Sequence, residues 1–524
     1  MILKKLPIYI SDFKKMIQDN YLYIDKTEYI YRLFKDSTQY YFLSRPRRFG
    51  KSLLVSTLKE LFSGNKELFK DLWIYNSDYN WQEYPVIHLD LSQVPHLNSQ
   101  ELRKNLNNEL NIIATNYNIN LKYNDTPESS LKELIENLAK INKVVILIDE
   151  YDKPIVDHIK NIEEAEKQRE ILKSFYSVIK AQDANLRAVF LTGVSKFART
   201  SVFSGLNNLN DITLDPKAAQ LLGYTQDELI DNFMPYIDNL AIQENISSDN
   251  LIDKLKKWYN GYRFSELETK VYNPFSVLYA LDKQKINNYW IASGNPEFLI
   301  VLLKQKYYEI KDIENAEFSY NSLEAFDISN INIIALLFQT GYLTIVDYDK
   351  EYNSFKVNFP NFEIKQSFTN YLLTALSTYD LNTTATKMLN LKRAIDQNDL
   401  IKFFDILENI FAHIPYTLTT KDLKERDYHT LIQFILSVLS INAQSETITN
   451  NGRIDLVLET KNNIYIFEFK VNQSAEIALQ QIKDKKYYQK FLDKNKKIVL
   501  VGLNFNNMDN NLEFISNVDI YTGS

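Results

Sequence analysis

Apolar and polar positions follow two regimes along this chain. Through the first two hundred residues, short unbroken apolar runs alternate with stretches of helical spacing. YYFL (40–43) ends at RPRRFGKS, and SLLVSTLKELF follows with helical period. PVIHLDLS (85–92), KVVILIDE (143–150) and RAVFLTG (187–193) are further runs, and DITLD (211–215) is a weaker fifth. Helical patterns at 99–117, 130–141 and 163–181 separate them. Apolar strands alternating with helices predict an α/β fold, a parallel sheet covered on both faces. One strand and its helix stand between the RPRRFGKS loop and VVILIDE. That order predicts an additional strand in the sheet between the strands that these two segments end.

From 217 to 415 the pattern is mostly helical, with Asn/Asp-rich joints. The exception, GYLTIVDYDKEYNSFKVNFPN (341–361), predicts a hairpin turning near Asp349. Beyond 420 come a helix (423–441), strands at 446–450, 453–459 and 463–470, a helix (474–491) and a strand, KIVLVGL (497–503). Three domains are therefore expected: 1–216 an α/β P-loop domain, 217–415 a mostly helical lid or linker, and 416–524 an αβββαβ domain.

Composition narrows the setting. With 524 residues, 45% hydrophobic and 24% charged, the chain can build several cores. Zero cysteines excludes disulfides and thiolate metal sites, and predicts a reducing, cytoplasmic setting. No apolar run is long enough to span a bilayer, and MILKKLPIYISDFKKM lacks a signal-peptide core, so no membrane partner is expected. A net charge of −7 gives no general pull toward nucleic acid, yet metal-dependent nuclease sites are themselves acidic.

The loop after the first strand reads Arg45, Pro46, Arg47, Arg48, Phe49, Gly50, Lys51, Ser52. This is the phosphate-loop pattern with Arg45 in place of its first glycine. Backbone N–H groups from Arg48, Phe49 and Gly50 and the helix N-terminus would cradle the phosphates of ATP. Lys51 would meet the β- and γ-oxygens, and Ser52 would ligate Mg²⁺. VVILIDE delivers Asp149 and Glu150 at a strand end, where a metal-holding carboxylate and a water-activating base belong. Thr192 ends its strand where a polar group would sense the γ-phosphate, and Arg199 is a candidate arginine finger, in cis or across a homo-oligomer interface. An ordinary helix start and an ordinary helix cap account for either motif taken alone.

Together with YIDKTEYIYRLF, LFKDLWI, VVILIDEYDKPIV, FLTGVSKFARTSVFSGLNNLNDITLD and WYNGYRF with VYNPFS, this loop closely resembles the bacterial AAA-ATPase-like family from about 7 to 300. The resemblance implies an AAA-like sheet and makes the arginine-rich loop a family form. It also implies that Asp25-Lys26-Thr27 belongs to the nucleotide pocket, although helix capping accounts for them equally. WYNGYRF by itself reads as core packing.

The C-terminal segment carries Asp455 in GRIDLVLE, then Glu468 and Lys470 in IYIFEFK. Strand alternation puts Ile464, Ile466, Glu468 and Lys470 on one face, and Tyr465, Phe467 and Phe469 on the other. Two charges finishing an apolar strand must meet a metal, each other or solvent. Asp455 and Glu468 would share Mg²⁺, and Lys470 would position water. Glu425 is a candidate further acid, and Gln481 a candidate brace on the following helix. A plain salt bridge at a sheet end is the competing account. GRIDLVLE, IYIFEFKVNQSAEIALQQIKDKKYYQKF and VLVGLNF resemble a PD-(D/E)xK nuclease-like domain, of restriction-endonuclease-like fold, over about 420–505. Lysines from Lys483 to Lys497 follow the site, where a solvated helix face competes with phosphate tracking. The five histidines are scattered without metal-ligand spacing.

These readings converge on an ATP-binding, ATP-hydrolysing protein coupled to a Mg²⁺-dependent nuclease-like domain acting on DNA or RNA, in nucleic-acid processing or defence. The alternative is a nucleotide-switched interaction protein whose nuclease-like domain binds without cutting.

Overall fold

The computed structural model describes residues 3–35, 39–159, 161–194, 206, 208–290, 313, 316–319, 332–414, 425–439, 443–449, 451–508 and 511–521. The chain forms two compact units, 1–293 with 314–361, and 294–313 with 362–524. Residues of the 217–415 stretch thus contribute to both.

The first unit opens with α1 (Phe13–Gln18) and α2 (Thr27–Phe34), followed by β1 (Gln39–Ser44) and α3 (Lys51–Phe62). Then come β2 (Val86–Asp90), α4 (Ser99–Asn116), α5 (Pro127–Leu138) and β3 (Val144–Asp149). The short α6 (Lys153–Asp157), α7 (Ile162–Ala181), β4 (Leu186–Gly193) and β5 (Asn210–Asp211) complete this part. The five strands are all parallel, in the order β2-β3-β4-β1-β5. β4 lies between the strand that feeds the phosphate loop and the strand that delivers Asp149, which is the additional-strand order. The fifth strand is only two residues long and starts one residue before the expected DITLD.

Alternation along β1 explains the two-sided cover. Tyr40 and Phe42 join Ile146, Leu106, Leu134 and Phe175 in one core. Tyr41 turns to the other face, where it meets Phe34 edge-on, and Phe34 in turn meets Phe62 and Phe190.

Three helices follow: α8 (Gln226–Glu244), α9 (Ser248–Tyr259) and α10 (Pro274–Asp282). They bury a core of their own, with Phe233, Ile237, Leu251, Leu255, Val277 and Leu281. A Thr225–Glu228 capping box starts α8, satisfying helix-end donors reciprocally. The unit ends with β6 (Glu317–Ser319), α11 (Ile333–Thr340), β7 (Thr344–Asp349) and β8 (Ser354–Asn358). β7 and β8 are the expected antiparallel hairpin, to which β6 adds a third strand.

The second unit contains α12 (Phe362–Leu376), α13 (Leu381–Asp396), α14 (Leu400–Ala412) and α15 (Glu425–Ser437). β9 (Gln444–Thr449), β10 (Gly452–Glu459), β11 (Asn463–Val471), α16 (Ala475–Asp484), β12 (Lys497–Met508) and β13 (Asn511–Tyr521) complete it. The sheet runs β13-β12-β11-β10-β9, with β11 and β12 parallel and the other neighbours antiparallel. The αβββαβ order is present, and β13 extends it at the edge. The expected continuous helix over 474–491 breaks: α16 stops at Asp484, Lys486 turns left-handed, and a 3₁₀ segment covers Tyr487–Lys494. Among the described residues no helix is long and apolar enough to cross a membrane.

Candidate functional site

The phosphate loop runs from the end of β1 into α3 and is fixed by two left-handed residues, Arg48 (φ 67°) and Gly50 (φ 94°). A side chain at Gly50 would meet ordinary contacts, so the backbone angle and not space is what calls for glycine there. Lys51 is only 4% exposed; its Nζ donates to the carbonyls of Arg45 and Pro46, each at 3.2 Å, and lies 3.8 Å from Glu150 Oε1. Ser52 hydrogen-bonds Asp149. Burial pushes the Asp149 carboxyl up to about 6, opposed by the Ser52 hydrogen bond and by Lys51, and assisted by Glu150 and Asp90. Glu150 sits at φ 52° with its N–H donating to Asp149 Oδ1 at 3.0 Å. A non-glycine residue held there is locally strained, and the strain aims its carboxylate across the loop. The structure therefore brings Gly50, Lys51, Ser52, Asp149 and Glu150 together.

Arg45 and Phe49 point inward. Arg45 is 1% exposed and donates to three carbonyls: Ser44 (2.8 Å), Thr213 (2.7 Å) and Ala218 (3.0 Å). Its guanidinium lies 4.2 Å from the Phe264 ring centre, and burial lowers its pKa to about 9 against the pull of Asp211. Phe49 meets Tyr262 and Phe264 edge-on at 4.8 and 5.4 Å. WYNGYRF thus packs under the loop. Thr192 donates its hydroxyl to the Leu43 carbonyl at 2.7 Å. Arg199 lies outside the described residues.

Asp25-Lys26-Thr27 has structural partners. Asp25 accepts from Thr27 N and Trp73 N, and Thr27 accepts from Ile74 N. Lys26 pairs with Glu228 at 2.5 and 2.7 Å, joining the start of α2 to the capping box of α8. Two of the histidines also meet: the rings of His96 and His158 are 6.1 Å apart, and His96 bonds Asp157.

In the second unit, the register that pairs Leu456 with Phe467 sets Asp455 opposite Glu468. Asp455 Oδ2 accepts from Phe469 N at 2.8 Å. Glu468 Oε1 accepts from Lys470 Nζ at 3.2 Å and from Gln481 Nε2. Glu468 is 3% exposed, and its Oε2 is buried with no hydrogen-bond partner. Burial first, then Asp455, pushes this carboxyl up to about 7, against Lys470. A bare buried carboxylate oxygen facing a second acid fits a divalent cation. The predicted faces hold: Ile464 and Ile466 pack with Leu479 and Ile482 of α16, while Tyr465 bonds Ile395 and Asn398.

Tyr487 was not among the expected residues. Its buried hydroxyl hydrogen-bonds Gln481, and Gly452 leaves room for it, since a side chain there would meet that hydroxyl at 2.8 Å. Glu425 opens α15, but its side chain lies outside the described residues. Three lysines are engaged in ion pairs: Lys494 and Lys496 with Glu459, and Lys483 with Asp519.

A parallel sheet in the additional-strand order, with a lysine–serine loop after β1 and an acid pair after β3, is the frame of a P-loop ATPase domain. The chain belongs to the AAA-ATPase-like family and carries a PD-(D/E)XK nuclease-superfamily domain at its C-terminus: residues 7–203 match the family described as predicted AAA-ATPase, and residues 423–514 match that superfamily. It is 35% identical, over 516 residues and 96% of each chain, to a protein of Azotobacter chroococcum mcd 1 described as "Uncharacterized protein in vnfD 5'region".

Proposed function

We propose that this protein binds and hydrolyses ATP at the phosphate loop and cleaves a nucleic-acid phosphodiester at the Asp455–Glu468 site. The observation that carries the reading is the convergence of Lys51, Ser52, Asp149 and Glu150 at two strand ends. Lys51 exchanges its carbonyl partners for β- and γ-phosphate oxygens, and N–H groups around Gly50 hold the rest of the chain of phosphates. Glu150 orients the attacking water and accepts its proton. In the second unit, Lys470 orients water toward phosphorus, and Gln481 with Tyr487 fixes the Glu468 carboxylate. Mg²⁺, held by Ser52 and Asp149 in one site and by Asp455 and Glu468 in the other, would neutralise charge developing on phosphate oxygens.

A second reading has its own observation. Lys470 Nζ, the group that would position water, is paired with Glu468 Oε1 at 3.2 Å. Nucleotide-switched binding of nucleic acid without cleavage is the reading that a persistent ion pair there favours.

Turnover of ATP, and of DNA and RNA with Mg²⁺ or Mn²⁺, separates the readings. Lys51→Ala is expected to lower ATP hydrolysis by about 100-fold or more. Glu468→Ala is expected to lower cleavage at least as much, with ATP hydrolysis intact. Unchanged ATP turnover in the first variant sinks the ATPase reading. Wild-type protein that cuts nothing leaves the binding reading.

A further inference from the structure

The phosphate loop forms one wall of a cleft of about 430 Å³, within the range of small-ligand sites, and Gly50, Lys51, Ser52 and Glu150 line it. Tyr9, Phe275 and Tyr279 line the same cleft. Tyr9 is held at φ 62° and is 75% exposed. Left-handed backbone is costly for an aromatic residue, and so is a ring left in water. The turn that presents it is short: Ile8 N donates to Leu6 O at 2.9 Å, and Ile10 N to Pro7 O at 3.4 Å.

The three rings form one cluster. Tyr9 stands edge-on to Tyr279 at 5.6 Å and to Phe275 at 6.5 Å, and Phe275 lies 4.4 Å from Tyr279. Arg48, from the phosphate loop itself, places its guanidinium 4.9 Å from the Phe275 ring centre. The aromatic wall and the phosphate loop are thus in direct contact. The Tyr279 hydroxyl is buried without a hydrogen-bond partner. Such a group costs free energy until something polar reaches it.

We propose that Tyr9, Phe275 and Tyr279 form the nucleobase subsite of the nucleotide whose phosphates Lys51 holds. This rests on the ATP reading above and deepens it. The exposed ring of Tyr9, with the half-buried Phe275 beside it, offers stacking area to a planar heteroaromatic ring, a contact that every base can make. The Tyr279 ring backs the other two from behind, its hydroxyl enclosed. Two segments distant in sequence, the turn at Ile8 and Tyr9 and the start of α10, would therefore meet the base together.

Comparing ATP with inorganic triphosphate isolates the base. Calorimetric titrations with Mg²⁺ in a Glu150→Gln background suppress turnover during the measurement. Tyr9→Ala and Phe275→Ala are each expected to weaken ATP binding about tenfold, with triphosphate affinity unchanged within about twofold. Tyr9→Phe, which keeps the ring, is expected to retain ATP affinity. The exposure of Tyr9 makes a folding defect in Tyr9→Ala an unsuitable explanation, and circular dichroism checks it. ATP affinity that survives both alanine variants overturns the proposal, as does an equal fall for ATP and triphosphate. If the background protein binds neither ligand, the phosphate site itself fails and the base subsite with it.

Discussion

At the end of β3, Asp149 is buried with a hydroxyl from Ser52 and a lysine within its field. At the end of β11, Glu468 is buried as deeply, yet one of its oxygens meets nothing. The first site is held by distant backbone: Arg45 ties the loop to carbonyls at 213 and 218, and Phe49 ties it to the 262–264 rings. The second is held by nearby side chains, Lys470 two positions along the strand and Gln481 and Tyr487 just beyond it. The contrast teaches that similar raised carboxyls can rest on different supports. Damage to the first should spread through the fold, and damage to the second should stay local.

Arg45→Gly puts that contrast under the greatest load, because it restores the usual glycine while deleting three charge-assisted bonds. A loss of about 3 kcal/mol in denaturant unfolding is expected. A stability gain would break the comparison. Gln481→Ala should act locally, lowering Mn²⁺ affinity of the second site about tenfold while ATP affinity is unchanged. A matching fall in ATP affinity would show that the support is not local. The smallest effect is a pH slope. The Glu468 carboxyl titrates near 7 folded and near 4.3 unfolded, so between those values the folded state keeps a proton that the unfolded state sheds. Stability therefore falls as pH rises through this window, by about 1 kcal/mol between pH 6 and 7. Glu468→Gln should flatten that part of the unfolding profile; an unchanged slope would assign it to another group.

Much of this was legible along the chain because it is periodic or adjacent. Four parallel strands, the loop and the acid pair follow from apolar runs and their endings, and Glu468 with Lys470 follows from strand alternation. What was hidden depends on contacts distant in sequence or on local breaks. Nothing near Arg45 announces that its acceptors lie at 213 and 218. Tyr487 escaped because a continuous helix over 474–491 gives it a different phase; the left-handed turn at Lys486 redirects it. β13 was missed because Ser516, Asn517 and Asp519 interrupt its apolar pattern, as an edge strand allows. The pairing of Lys494 and Lys496 with Glu459 was equally unreadable, since 35 and 37 positions separate the partners.

The anchoring of Arg45 bears on where the AAA-ATPase-like domain ends. The sequence family stops at 203, but the carbonyls that receive the guanidinium at Thr213 and Ala218 lie past that point. A chain cut at 203 would keep every motif residue of the loop while leaving a buried cation short of two acceptors. Excision for crystallography or grafting into a chimaera should therefore follow the first unit through residue 361, which keeps Phe264, whose ring covers that cation.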